Sequence, residues 1–163
     1  MILTPHILVG AAIGAKIHNL GLIIILGIFS HLILDKLPHW DYINSGIKDF
    51  RKSKNFEALF KDLFKIATDG IIGLLIVFLI TWQTHQLTNL FFIMLAIFVA
   101  VLPDILLGLV HLFAPRNFAE KYVKFHLRFL HFLKDKEKEG KITFFNISTE
   151  ILVIVIAIII LFS

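Results

Sequence analysis

The chain contains no cysteine. That excludes a disulfide scaffold and every thiolate metal site, so a metal bound here must take nitrogen and oxygen ligands. Charge is scarce as well: Asp, Glu, Lys and Arg make up 17% of the 163 residues against 58% hydrophobic ones. With a mean hydropathy of +0.86, the composition is too apolar for a soluble domain of this length and indicates an integral membrane protein. No HExxH and no GxS motif occurs, which argues against a zinc protease and a serine nucleophile elbow. Asp69-Gly70 lacks the spaced downstream aspartates of two-metal lipid-headgroup transferases. There is no internal repeat or low-complexity tract. The opening MILTPHILVG has neither a basic leader nor a convincing cleavage site, so it is not read as a removable signal. The net charge of +4 does not point to nucleic acid, because the basic residues flank apolar segments as membrane topology requires.

What is abundant is long apolar sequence with polar punctuation. Met1 to Ile17 is expected as a short first helix, with Thr4 as its cap and Pro5 in its first turn, where a missing N–H costs nothing. After Asn19 and Gly21, Leu20 to Leu37 forms a second helix stopped by Pro38. Residues 38–55 are polar and basic, with Asn44, Ser45 and Gly46 as turn formers, and read as a cytoplasmic surface loop. A long helix follows from about Phe56 to Trp82, a connection from Gln83 to Thr88, and a further apolar stretch from Asn89 to Phe113. Pro103 inside that stretch should kink it and expose backbone carbonyls just before Asp104. Lys121, Lys124, Arg128 and His131 recur opposite Phe118, Val123, Leu127, Leu130 and Phe132, so about 117–134 reads as an interfacial amphipathic helix. Asp135 to Gly140 is a charged turn, and Thr143 to Phe162 a final span. The expected fold is all-α: a polytopic membrane helix bundle, one domain over residues 1–163, with about five embedded helices plus one interfacial helix. The first helix is short enough to be re-entrant or tilted.

Of the 16 Lys and Arg, all but Lys16 lie between the second helix and the first turns of the third, or between Arg116 and Lys141. The positive-inside bias places those segments, and with them the N-terminus, in the cytoplasm of a multi-pass inner-membrane protein, with the C-terminus outside. Counting about 1.5 Å per residue from the outer helix ends puts His6, His31, Asp35, Asp69, Asp104 and Glu150 roughly 16 to 26 Å inward. In a hydrocarbon core about 30 Å thick this is one slab, near the cytoplasmic face.

Ionisable residues inside a membrane default to a functional reading, because burying them is expensive. His31 and Asp35 stand four apart on one helical face; LPHWDY then adds His39 and Asp41 on the turn after Pro38, giving four nitrogen or oxygen donors within eleven residues. Asp104 and His111 are seven apart, and Asn146 and Glu150 four apart. Such a mixture suits zinc, or a pair of zinc, manganese or iron ions. Each residue also has a plainer explanation. A lone His on an apolar helix is usually a core residue with one satisfied hydrogen bond, the expectation for His111 and His126. Asp69 either joins the set or pairs with Lys65 one turn earlier. Glu150 with Thr149 is either part of the site or a polar patch. His18 and His85 fall toward the outer side, and Trp40 and Trp82 sit where interfacial anchors belong.

The opening TPH with His6, Gly10 and Gly14, the segment SHLILDKLPHWDY, ATDG on the third helix and VLPD on the fourth form an ordered series over most of the chain. In this series the chain resembles the inner-membrane metal-dependent hydrolase family of the YdjM type, itself similar to zinc-dependent phospholipase C. The resemblance implies a helical fold whose metal ligands here are His6, His31, Asp35, His39, Asp69 and Asp104. The late HxxxE pair of the phospholipase-like enzymes reads NISTE, so Asn146 stands in place of the His and Glu150 alone matches. The HR-then-THS segment of the YdjM type is absent, with HLRFLH (His126, His131) in its place.

The expected function is a membrane-embedded, metal-dependent hydrolase of a phosphoester at the cytoplasmic leaflet, such as a phospholipid headgroup or another lipid-linked phosphate. Glu150 or Asp41 would be the general base for the attacking water. A divalent metal, zinc first and manganese or iron as alternatives, would be the cofactor. The basic amphipathic helix would hold anionic lipid headgroups, and no nucleic-acid partner is expected. The alternative is a non-catalytic membrane protein whose buried polar cluster binds an ion, relays protons or joins helices.

Overall fold

The computed structural model describes residues 1–42, 44–130 and 143–163. Among them are seven α-helices and no strand: α1 Leu3–Lys16, α2 Leu20–Leu34, α3 Ser45–Ser53, α4 Phe56–Gln83, α5 Leu90–Phe113, α6 Arg116–Leu130 and α7 Phe144–Phe162, with a 3-10 turn Gln86–Asn89 ahead of α5. Three segments are long and apolar enough to cross a membrane: Phe56–Gln83, Gln86–Phe113 and Phe144–Phe162. The expectation of five embedded helices is corrected to this number. α1 and α2, with 14 and 15 residues, rise only about 21–23 Å, short of a hydrocarbon core about 30 Å thick.

The short α1 is the hub. It packs against α5, α4, α7 and α2, and Ile7, Leu8, Ala11, Ala12 and Ala15 form one core with Val77 and Ile80 of α4, Ile93, Ile97 and Val101 of α5, and Ala157 and Leu161 of α7. Because lipid is as apolar as Leu, association here depends on close van der Waals packing, which small residues permit. A Cβ on Gly10 would stand 2.9 Å from Ile97 Cα, and one on Gly14 would run into the backbone of Phe92 and Ile93. Gly27 of α2 approaches Val99 of α5, and Gly73 of α4 approaches Ile7, in the same way. Large apolar side chains such as Phe29, Phe78, Leu79, Phe91 and Ile159 face outward, the pattern of a lipid-facing surface.

The expected loop 38–55 contains a helix, α3. Asn44, Ser45 and Gly46, read as turn formers, lie at its start, because residues that favour turns also favour helix N-termini. The buried Asp62 of α4 accepts from Ile47 N at 3.2 Å and pairs with Lys65 at 3.1 Å. Arg51 donates to Val110 O of α5 at 2.6 Å. α3 is thereby tied to α4 and α5 at the basic end of the bundle. α6 packs on α5, with Phe118 and Phe125 exposed; residues 131–134 of the expected amphipathic helix, His131 included, and the charged turn 135–140 lie outside the described residues, as does the His126 side chain.

Candidate metal centre

Four of the expected residues converge. α1 brings His6, α2 brings His31 one turn before its end and Asp35 at its C-cap, and α5 brings Asp104. His6 and His31 stack with ring centroids 4.4 Å apart. Asp35 lies between them, its Oδ1 3.2 Å from His6 Nε2 and its Oδ2 3.2 Å from His31 Nε2. Asp104 Oδ1 is 3.8 Å from His31 Nε2. His6, His31 and Asp104 each offer a ligand atom, all within 4.8 Å of one another, so this group could hold a metal ion. Ligand atoms around a tetrahedral zinc are about 3.4 Å apart, so the widest pair would close by about 1.4 Å on binding, leaving a fourth position for another ligand.

The tautomer of His31 carries the argument further. Its Nδ1 is 2.8 Å from Ala100 O, and a carbonyl only accepts, so Nδ1 bears the proton. The Nε2 edge of His31 therefore faces two carboxylates, an arrangement stabilised either by a second ring proton or by a cation held between them. A ring nitrogen fixed by a backbone carbonyl, with the other free to ligate, is also how metal-binding His is usually oriented. His31 Nε2 and both His6 nitrogens, all buried, lack a hydrogen-bond partner in alignment; buried polar atoms are rarely left so. Pro103, inside α5, has no N–H to donate and crowds the preceding turn. The carbonyl it leaves without a helical donor is that of Val99, next to the Ala100 carbonyl that His31 uses.

His6, His31 and Asp35 are closed off, whereas Asp104 keeps a third of its side-chain surface exposed. Tyr122 of α6 lies close enough to feel its charge; burial, then that charge, push the Tyr122 phenol up. The Met1 ammonium is 3.0 Å from Asp35 Oδ1 and 3.9 Å from Asp41 Oδ2, a positive group that no side-chain pattern announces.

Asp69 is used differently from either expectation. Its carboxylate accepts from Leu3 N, Thr4 N and the Thr4 hydroxyl. Lys65 pairs with Asp62 instead. Nor does Thr4 cap α1: Ile2 occupies the N-cap position without a side-chain bond, and a carboxylate from α4 satisfies the free N–H groups and faces the positive end of the helix dipole. Tyr42 lies beside Asp69; burial first, then that carboxylate, hold its phenol well above the usual range, so it stays neutral. Asp69→Asn should weaken the cap by about 1–2 kcal/mol and leave bound metal unchanged. Denaturant unfolding with metal analysis of the same sample checks this, and loss of metal without loss of stability would instead make Asp69 a ligand.

His39 is buried after the α2 turn with Nδ1 2.6 Å from Leu37 O, outside the three-residue group. Asp41 has 30% of its side chain exposed and accepts from Tyr42 N at 2.9 Å. Glu150 of α7 is buried at 6% exposure; the Trp40 backbone bonds to it, while Oε1 has no hydrogen-bond partner. His111 bonds back to Leu107 O at 2.9 Å, the satisfied helix histidine expected of it. His18 and His85 are exposed. Compared with protein-family models, curated proteins and solved structures, the chain matches none.

Proposed function

We propose that this protein is a membrane-embedded, metal-dependent hydrolase of phosphoesters at the cytoplasmic face of the inner membrane, as its resemblance to the YdjM type implies. The reading is supported by one observation: His6, His31 and Asp104 bring ligand atoms within 4.8 Å of one another, with the His31 ring oriented by the Ala100 carbonyl and its Nε2 edge toward Asp35 and Asp104. His6, His31 and Asp104 would hold the metal, with Asp35 in contact with both imidazoles. Zinc suits these nitrogen and oxygen donors best, with manganese or iron also compatible. A metal there supplies Lewis acidity toward a phosphoryl oxygen and toward water. The partial exposure of Asp104 leaves a side from which substrate enters. Glu150 or Asp41 takes the proton of the attacking water; the water oxygen bonds to phosphorus, the P–O ester bond breaks, and the alcohol leaves with a proton. The N-terminus is placed in the cytoplasm and the C-terminus outside by the basic segments, where Lys121 and Lys124 would attract anionic headgroups.

A second reading is supported by the Met1 ammonium on Asp35 and by Asp69 on the α1 N-terminus: the acids tie helices together, and the cluster holds an ion without chemistry. Phosphate release from phospholipid and lipid-phosphate substrates, measured with and without a chelator, separates the two. On the hydrolase reading, chelation abolishes turnover and zinc or manganese restores it. If Glu150 is the base, Glu150→Gln lowers turnover about 100-fold or more with metal content intact. A metal-loaded protein with no chelator-sensitive turnover on any phosphoester would leave the second reading standing.

A further inference from the structure

We propose that the groove between α2 and α7 is the slot for one hydrocarbon chain of a phosphate-bearing membrane lipid, whose headgroup lies at the His/Asp cluster. This rests on the hydrolase reading and specifies how its substrate is held. Among the described residues α2 and α7 both pack on α1 and touch each other marginally at most, so the hub helix is open to the bilayer along this line. The resulting groove has a volume of about 390 Å³ and an almost wholly apolar lining. That is at the small end of ligand pockets, about 300–1,000 Å³, with room for one chain.

Its lining stops about one helical turn short of the polar site. On α1 the lining residues Val9, Ile13 and Lys16 form one helical stripe, and the next position inward on that stripe is His6. On α7 the lining residues Val153, Ala157 and Ile160 form a second stripe with the same spacing, and its next position inward is Glu150. The α2 wall is Leu34, which directly precedes Asp35. Residues three and four apart share a helix face, so the α1 and α7 walls point toward His6 and Glu150. At that end Glu150 is buried at 6% exposure with Oε1 unpartnered. A carboxylate oxygen there asks for a donor, such as a hydroxyl of a glycerol headgroup. Along α1 the slot runs from Val9 to Lys16, seven helical rises or about 10 Å, and so takes the chain segment nearest the headgroup.

The test uses the full chain in nanodiscs containing phosphatidylglycerol with a diazirine either near the ester or near the chain end. Labelled residues are mapped by mass spectrometry after illumination. The ester-proximal probe is expected at Val9 and Val153, and the distal probe near Lys16 and Ile160 or beyond. Ile13→Trp, which fills the groove, should cut this labelling about tenfold; Ile156→Trp, on the exposed α7 rim, does the same without touching the core. Labelling spread evenly over the outward faces of α2, α4, α5 and α7, or unchanged in both variants, overturns the proposal. So does reversed order, with the distal probe at Val9, which signifies a lipid of the opposite leaflet held at Lys16. Metal analysis of the same nanodiscs keeps the two ideas apart. A labelled slot without metal defeats the hydrolase reading alone, and bound metal with even labelling defeats the slot alone.

Discussion

Purified protein carrying His31→Ala is expected to lose its bound divalent metal, from about one ion per chain to almost none after dialysis, and Asp104→Asn to do the same. Structural zinc sites in small domains are worth about 10–16 kcal/mol; divided among three or four ligands, each accounts for about 3 kcal/mol, or roughly a hundredfold in Kd. His31→Ala also removes the bond to Ala100 O, so a fall in metal content alone does not separate ligation from unfolding. Asp104→Asn makes that separation. The amide keeps the size of the carboxylate at a position where a third of the side chain is already exposed, so the fold should hold while the anionic ligand is lost. Elemental analysis beside thermal unfolding in the same detergent checks both. Unchanged metal content in folded Asp104→Asn would sink the site as drawn, and an absence of metal in the parent protein would do so sooner.

The second large effect is on assembly. Gly14→Ala should destabilise the bundle by about 3 kcal/mol or more, at or beyond the upper end of ordinary overpacking penalties. The added carbon meets the Phe92 carbonyl and the Ile93 backbone of α5, and backbone within a helix cannot rotate aside as a side chain can. Gly10→Ala meets Ile97 Cα at 2.9 Å and Ala100 Cβ at 3.0 Å and should cost less. Gly108 is the control, since a Cβ there has nothing within 4 Å, and alanine should be neutral or slightly stabilising in a helix. Unfolding in mixed micelles of rising SDS content should therefore rank the variants Gly14 below Gly10 below Gly108. Equal stability of all three would mean that α1 does not sit against α5 as described. Because α1 carries His6, Gly14→Ala should also weaken metal binding, although residue 14 is two turns from the cluster.

Much of the architecture was legible because hydrophobic runs and their interruptions are local. Helix positions followed from apolar length and from a local stop at Pro38. α3 was not legible: nine residues of mixed polarity are held as a helix by contacts with other elements, Asp62 of α4 accepting from Ile47 N, Arg51 donating to Val110 O of α5, and Gly46 lying close against the Ala58 backbone. The count of spanning helices was overestimated because composition distinguishes buried from lipid-facing apolar residues poorly; α1 is apolar because it lies inside the bundle.

Within the site, the His31–Asp35 pair was legible from four-residue spacing, and the common depth of His6 and Asp104 from counting residues. Their convergence around one gap was not, nor was the proton position that the Ala100 carbonyl imposes on His31. Asp69 shows why. An acid at the same depth looks like one more ligand in sequence, yet its rotation about the α4 axis turns it to the α1 N-terminus, and no periodicity within α4 encodes where another helix begins.

The amino-acid sequence by itself determined an apolar, cysteine-free helical chain and the expectation that His6, His31, Asp35, Asp69, Asp104 and Glu150 share one level, since composition and helical rise act residue by residue. Only the tertiary structure decided which of them face one another: His6, His31, Asp35 and Asp104 around a shared space, Asp69 on a helix end, Glu150 beside an open groove. The azimuth of each side chain is set by how neighbouring helices pack, through the close approaches at Gly10, Gly14 and Gly27, and that is a property of helix pairs rather than of any single segment.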